Sequence, residues 1–169
     1  MRHSKESLCL FAVATLAIVA SEASANEMRP MMTLEIAKMA VDACEQFQTE
    51  TNLPALNIAV VDRGADLVLF RRQDDAFLGS GQIAIDKAIS SVNIPYPTRT
   101  IGEIVYGKDG GPAAVPGLAH SNVMAFAGGL PVRTAAGVLV GAVGVSGASP
   151  DQDEDCARAE LDAIVTAIE

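Results

Sequence analysis

Val138-Leu-Val-Gly-Ala-Val-Gly-Val145 is the stretch that decides the fold, because none of its side chains is charged or forms hydrogen bonds. A continuous apolar run of this length is typical of a strand that is buried on both of its faces. We therefore predict a strand over residues 138–145 at the centre of a β-sheet.

The segment after this strand carries the start signals of a helix. Ser149 is placed to cap the helix, Pro150 suits its first position, and Gln152 is placed to close a capping box. Apolar residues then share one helical face: Ala157, Leu161, Ile164 and Ile168. The pattern predicts a last helix that runs to the C-terminus.

The first half of the chain predicts a helix followed by a hairpin. Thr33 can cap a helix that ends before Asn52, with apolar residues at helical spacing. Residues 56–61 and 67–70 are two β-rich runs, and the turn between them contains Gly64. The apolar residues of the predicted helix are Ala37, Ala40, Cys44 and Phe47.

A central helix is predicted from Gly79 or Ser80 to Val92. Apart from Lys87, one side of this helix carries only small residues: Ala84, Ala88 and Ser91. Small residues permit the close approach of another helix, a sheet or a flat ligand. Core packing is the alternative explanation for the alanines, because helix surfaces are more often packing faces than ligand faces.

Proline and glycine are frequent in residues 93–119, so the only helix expected there is a short one over residues 98–106. Long irregular connections usually serve a site or an interface. Further strands are predicted over residues 123–126 and 130–133. The predicted class is α/β, of the α+β type, with helices around a mainly antiparallel sheet of roughly five strands.

The N-terminus has the order of a signal peptide. Arg2 and Lys5 precede the apolar run 8–20, and small residues follow it. The run is shorter than the roughly 20 residues that a membrane-spanning helix needs. We predict that residues 1–25 are cleaved, that residues 26–169 form one domain, and that the protein is exported to the periplasm or secreted.

Charge and hydropathy limit the partners of the mature chain. The net charge is −9, so the surface repels phosphate backbones and nucleic acid is not an expected partner. No second apolar stretch is long enough to span a membrane, so no membrane insertion is expected after cleavage.

Two cysteines, Cys44 and Cys156, remain after Cys9 leaves with the signal peptide. Export makes a disulfide between them chemically permissible. Free cysteines are also among the most buried residues, so two separately buried thiols are an equal alternative.

The chain lacks the motifs of common catalytic sites. Gly144-Val-Ser-Gly-Ala148 ends in alanine where a nucleophile elbow requires glycine. No pattern of cysteine and histidine matches covalent haem attachment or structural zinc. His120 is the sole histidine of the mature chain, which makes it the candidate axial ligand or proton carrier; a hydrogen-bonded loop residue is the alternative.

Four strings occur in order along most of the domain: Asn57-Ile-Ala-Val-Val-Asp62, Asp86-Lys87-Ala88, Gly128-Gly129-Leu130-Pro131, and Gly141-Ala-Val-Gly-Val-Ser-Gly147 leading to Asp151-Gln152-Asp153. From about Thr33 to the C-terminus, the chain resembles the GlcG/HbpS family of haem-binding and cobalamin-operon-associated domains. This resemblance implies a profilin-like fold, assembly into dimers and larger rings, and a pocket between sheet and helix. It also implies haem as a candidate ligand, since some members bind haem.

The residues assigned to a ligand combine this resemblance with the chemistry of the side chains. Glycine lets backbone amides approach a flat or anionic molecule, and lysine neutralises a carboxylate. The alternative is that the glycines only form tight turns and that Lys87 pairs with Asp86 or another acid at an oligomer contact. The predicted ligand-binding residues are Lys87, His120, Gly128, Gly129, Pro131, Ser146 and Gly147, with His120 as the candidate ligand of haem iron.

The leading functional hypothesis is an exported, oligomeric protein that binds haem or a similar planar, carboxylate-bearing molecule. The alternative is an enzyme that uses Lys87 or His120 as acid or base on a small carbonyl or aromatic compound, or that degrades haem slowly. An assembly module without its own ligand is the third hypothesis. The scarcity of catalytic motifs favours binding over chemistry.

Overall fold

Helices cover both faces of one antiparallel sheet in the computed structural model, which describes residues 30–168. The predicted signal peptide lies outside these residues. The helices are α1 (Leu34–Thr51), α2 (Ser80–Asn93), α3 (Thr98–Tyr106) and α4 (Pro150–Ile164), with a short 3₁₀ turn at Pro116–His120. The strands are β1 (Asn57–Asp62), β2 (Leu67–Arg72), β3 (Gly129–Arg133) and β4 (Leu139–Ser146).

The strand order is β2-β1-β4-β3, and every neighbouring pair is antiparallel. β4 lies between β1 and β3, and all of its residues except Leu139 are buried. This confirms the prediction that the most apolar run forms a central strand covered on both faces. β2 and β3 are the two edge strands of the sheet.

The strand predicted over residues 123–126 is wrong, and the sheet has four strands within residues 30–168 instead of roughly five. The Met124 backbone N–H donates to Ser90 Oγ of α2 at 2.8 Å. A side chain at Gly102 of α3 would collide with the Ala125 carbonyl. The segment therefore packs against two helices, and this packing replaces pairing with a strand.

The predicted caps are confirmed at both terminal helices. Thr33 Oγ1 accepts a hydrogen bond from the Ile36 N–H, at the start of α1. Ser149 and Gln152 form the predicted capping box of α4. α4 ends at Ile164, earlier than the predicted run to the C-terminus. Within residues 30–168, no helix combines the length and apolar composition that a membrane crossing requires.

α1 and α4 pack side by side on one face of the sheet, over its larger apolar cluster. A disulfide joins Cys44 of α1 to Cys156 of α4, with 4.9 Å between the Cα atoms and a sequence separation of 112 positions. The two helices at the ends of the domain are thereby covalently linked.

α2 packs on the other face, against β1 and β4. A side chain at Gly144 would collide with the Ala84 carbonyl, so helix and strand are in direct backbone contact there. Ala88 is also fully buried in this contact. The small-residue side of the helix therefore serves core packing, as in the alternative interpretation of the sequence.

Candidate functional site

A buried ionic centre is built around Lys87, whose side chain has no exposed surface. Its ammonium donates hydrogen bonds to the Val145 carbonyl and to Asp153 Oδ2, both at 2.8 Å. The Phe126 ring lies over the same ammonium, with its centroid 4.7 Å from Nζ. Lys87 therefore connects α2, the end of β4 and the first turns of α4.

Glycines bring the chain close to this centre. A Cβ at Gly128 would lie 2.5 Å from Lys87 Nζ, and a Cβ at Gly129 would lie 2.5 Å from the Lys87 carbonyl. On the other side, the Ala148 N–H donates to Asp153 Oδ1 at 3.0 Å. The structure therefore brings Lys87 together with Gly128, Gly129 and the turn after β4.

Burial and pairing act in opposite directions on the two charged groups. Burial lowers the pKa of the Lys87 ammonium, and attraction to Asp153 opposes this shift. Burial raises the pKa of the Asp153 carboxyl, and Lys87 together with the Gly147 and Ala148 amides opposes that shift. Each group is thus the counter-charge that the other needs in an apolar interior.

The centre is closed to solvent, which changes the interpretation of Lys87. Its partner is Asp153 of the same chain, whereas Asp86 accepts a hydrogen bond from Gln82 on the helix surface. A ligand or substrate has no access to the ammonium in this arrangement. Lys87 holds elements together, and the acid/base role considered for it lacks the necessary exposure.

The remaining predicted site residues are Ser146, Pro131 and His120. Ser146 is buried at the end of β4, and Pro131 borders a separate cleft beside α4. His120 ends the 3₁₀ turn, is exposed, and belongs to a segment that packs against α3. The structure does not gather these three side chains into one pocket within residues 30–168.

An open cleft of about 360 Å³ lies on the outer side of Phe126. It is bordered by α3, by the loop that follows α3 and by the start of α4. Phe126 is 40% exposed and Tyr106 is 69% exposed, so two aromatic side chains face solvent here. The charged and aromatic side chains that give this cleft its chemistry are Arg99, Glu103, Tyr106, Lys108 and Phe126.

Two cations lie at the rim of this cleft, each beside carboxylates. Arg99 donates to Asp151 at 2.5 Å and to Glu154 at 2.8 Å. Lys108 lies 3.0 Å from Glu103. Hydrogen bonding to Asp151 raises the pKa of Arg99, and hydrogen bonding to Glu103 raises the pKa of Lys108. Both cations therefore remain charged at neutral pH.

Sequence reasoning missed Arg99, Tyr106 and Phe126 as candidate site residues. Aromatic residues make up only 4% of the chain. Tyr106 and Phe126 each lie next to a glycine-rich segment. This position was a usable signal of a binding site, because exposed aromatic residues beside irregular backbone often mark binding surfaces. Arg99 carried no local signal, since its carboxylate partners are 52 and 55 residues away in sequence.

The fold and this site define a profilin-like α/β domain with an aromatic cleft outside a buried ion pair. The family model described as "Haem degrading protein HbpS-like" matches residues 32–162. The chain belongs to this HbpS-like family, which confirms the resemblance seen in the four sequence strings.

Two relatives illustrate the range of proteins that contain this domain. An uncharacterized 15.0 kDa protein of the dhaT-dhaS intergenic region of Citrobacter freundii is 37% identical over 134 residues, covering 78% of this chain and 90% of that protein. The corrinoid adenosyltransferase PduO of Salmonella typhimurium is 30% identical over 133 residues. That match covers 77% of this chain and only 37% of PduO, so this chain corresponds to a part of that enzyme.

Solved structures share the fold. The Klebsiella pneumoniae protein ORFY superposes with a TM-score of 0.73 at 33% identity, covering 86% of this chain and 97% of that one. HbpS gives a TM-score of 0.70 at 30% identity, covering 85% and 97%. A PduOC:haem complex gives a TM-score of 0.69 at 24% identity, covering 79% and 95%, and supports the fold alone.

Proposed function

We propose that this chain is an exported protein that binds haem, or a planar carboxylate of similar size, in the cleft beside Phe126. The observation that carries the proposal is the pairing of two exposed aromatic side chains with two rim cations in a member of the HbpS-like family. One structural neighbour is a PduOC:haem complex, and HbpS is another.

The donor set of the cleft fits such a ligand. Phe126 and Tyr106 offer flat apolar faces, and the rim cations Arg99 and Lys108 offer charge-assisted hydrogen bonds to carboxylates. Both cations already pair with protein carboxylates, and their pairs with Asp151 and Glu103 are exposed enough to contribute little free energy. Exchange of Asp151 or Glu103 for a ligand carboxylate therefore costs little, and Arg99 can keep its bond to the buried Glu154.

Two side chains are candidates to hold the iron. Tyr106 places a phenol at the cleft, and His120 ends a turn that packs against the same helix, α3. Tyrosine and histidine both serve as axial ligands of haem in proteins, and bound haem supplies the redox chemistry of its iron. His120 is the iron ligand predicted from the sequence, and Tyr106 is a second candidate because it lines the cleft.

Export and self-association complete the proposal. The N-terminal charge and hydropathy pattern supports a signal peptide, and the Cys44–Cys156 disulfide is typical of oxidising compartments outside the cytoplasm. Assembly with further copies of the chain rests on the resemblance to the GlcG/HbpS family. The periplasm or the outside of the cell is the proposed location.

A haemin titration followed by visible absorbance tests the proposal. We expect a saturable Soret change, and we expect Tyr106→Phe or His120→Ala to shift the band if the lost side chain holds the iron. Tyr96→Phe is the matched control, because Tyr96 is an exposed tyrosine that does not border the cleft. Phe126→Ser should weaken binding whichever side chain holds the iron.

Each negative result has a defined meaning. Absence of any saturable absorbance change would contradict haem binding. A change that survives Phe126→Ser unaltered would place haem outside this cleft. A spectrum insensitive to both ligand variants would exclude Tyr106 and His120 as iron ligands.

A further inference from the structure

An exposed apolar pair follows the edge strand β2. Phe77 is 71% exposed and Leu78 is 81% exposed, although both are large apolar residues. They end the segment Asp74-Asp75-Ala76-Phe77-Leu78, which we call the 74–78 knob. Exposed apolar side chains that lie together typically mark an interaction surface.

The backbone of the 74–78 knob is held in place. The Phe77 carbonyl accepts hydrogen bonds from Asn57 Nδ2 at 3.2 Å and from Ser80 Oγ at 3.0 Å. Ala76 is buried, with 4% of its surface exposed. The two apolar side chains are therefore presented to solvent from a fixed backbone, which lowers the entropy lost on docking.

A groove lies at the opposite edge of the sheet, between β3 and α4. Two adjoining cavities of about 410 and 230 Å³ share Leu161 and Asp162. Apolar residues form much of this β3–α4 groove, and Arg158 and Arg133 border it. Its apolar lining includes Leu130, Pro131, Leu161 and Val165.

The knob and the groove are complementary in charge as well as in apolar character. Asp74 and Asp75 precede the apolar pair, and neither forms an ion pair with another residue of the 30–168 region. The groove lining contains Arg133, Arg158 and one acid, Asp162. Arg158 already pairs with Glu154, whereas Arg133 has only carbonyl partners within residues 30–168, so Arg133 is the cation that can meet the knob. Opposite charges at the rim of an apolar contact favour one docking register over others.

We propose that the 74–78 knob of one copy of this chain docks into the β3–α4 groove of a second copy. This inference rests on the proposed self-association and adds the two surfaces that would carry it. The knob and groove border opposite edge strands, β2 and β3, so the contact is head-to-tail. Head-to-tail contacts close into rings when the rotation between neighbours permits it.

The mass of the purified chain in solution, measured by size-exclusion chromatography with light scattering, tests this contact. We expect the parent protein to form an assembly and the double variant Phe77→Ser/Leu78→Ser to elute as a single chain. The matched control is Leu34→Ser/Met39→Ser, which changes two exposed apolar residues of α1 and should keep the parent mass.

Mixing two defective variants tests the head-to-tail geometry. Val165→Asp, which changes the groove, should also be a single chain, and Arg133→Glu serves the same purpose if Val165→Asp does not fold. A one-to-one mixture of the knob variant and the groove variant should give the mass of two chains, because one intact knob and one intact groove remain.

Three results would overturn the inference: a parent protein of single-chain mass, a knob variant that keeps the parent mass, or a mixture that stays at single-chain mass. The haemin titration is repeated on the knob variant. If that single chain binds haem and the mixing test fails, the docking contact is rejected and the haem proposal stands. If the mixture gives the mass of two chains but no haem binds, the haem proposal is rejected and the docking contact stands.

Discussion

Lys87 and Glu160 are both completely buried, but their surroundings are opposite. The Lys87 ammonium has a carboxylate, a carbonyl and an aromatic ring around it. Neither carboxyl oxygen of Glu160 has a hydrogen-bond partner within residues 30–168. Lys87 belongs to α2 and Glu160 to α4. The same small domain therefore contains one buried charged group with partners and one buried carboxyl group without them.

Burial alone does not define the role of an ionisable residue in this domain. Lys87 is buried with its counter-charge, so the pair joins three elements while remaining ionic. Glu160 is buried alone, and burial raises its pKa well above the ordinary glutamate range. Glu160 is therefore stable in the fold chiefly as the neutral acid.

The largest effect is expected from breaking the partnered charge. Lys87→Met keeps the length of the side chain but leaves Asp153 buried without its cation, and should lower the free energy of unfolding by about 3–5 kcal/mol. Denaturant unfolding measures this loss. The double variant Lys87→Met/Asp153→Leu is the control and should recover most of it. A loss below about 1 kcal/mol in the single variant would contradict a tightly coupled pair.

A smaller effect of opposite sign is expected from removing the lone charge. Glu160→Leu replaces an unpartnered polar group by an apolar one and should raise the free energy of unfolding at neutral pH by about 1–3 kcal/mol. Denaturant unfolding of the variant beside the parent measures this gain. A destabilised Glu160→Leu would indicate that the carboxyl has a partner in solution.

The pH dependence sharpens the same test. The unfolded chain releases the Glu160 proton near the ordinary glutamate pKa of about 4.3, whereas the folded protein keeps it to higher pH. The folded state therefore binds more protons in this interval, so stability falls as pH rises from the ordinary value towards the raised one. Glu160→Gln, which cannot titrate, should remove this decline relative to the parent.

The smallest effect is expected at the aromatic cover of Lys87. Phe126→Leu removes the ring above the ammonium and should lower the free energy of unfolding by about 0.5–1 kcal/mol. Phe126→Tyr keeps a ring and should retain the stability of the parent. Thermal unfolding of the three proteins side by side measures the difference. Equal losses in both variants would mean that side-chain shape, not the ring, matters.

The sequence predicted most of the fold because its signals are local. Capping residues, helical periodicity and the apolar run at residues 138–145 each act within a few positions, and each corresponds to an observed element. The strand predicted over residues 123–126 failed because Ser90 and Gly102, distant in sequence, hold that segment against helices. Tertiary packing overrode a short apolar pattern there.

The candidate site was only partly predictable. Resemblance and glycine chemistry grouped Lys87 with Gly128 and Gly129, and these residues lie together, since a Cβ at either glycine would collide with the lysine. The same reasoning placed Lys87 in contact with a ligand. It could not show that Asp153, 66 residues later, closes the ammonium off, or that Phe126 separates this pair from an open cleft.

The Cys44–Cys156 disulfide makes nearly the whole domain a covalent loop. A protease that makes one cut in an exposed connection inside that loop opens the backbone but releases no fragment. A cleaved molecule would keep its full mass until a reductant is added, and its two pieces would remain together to refold. A single cut inside the loop would therefore be visible as a change in length only on a reducing gel.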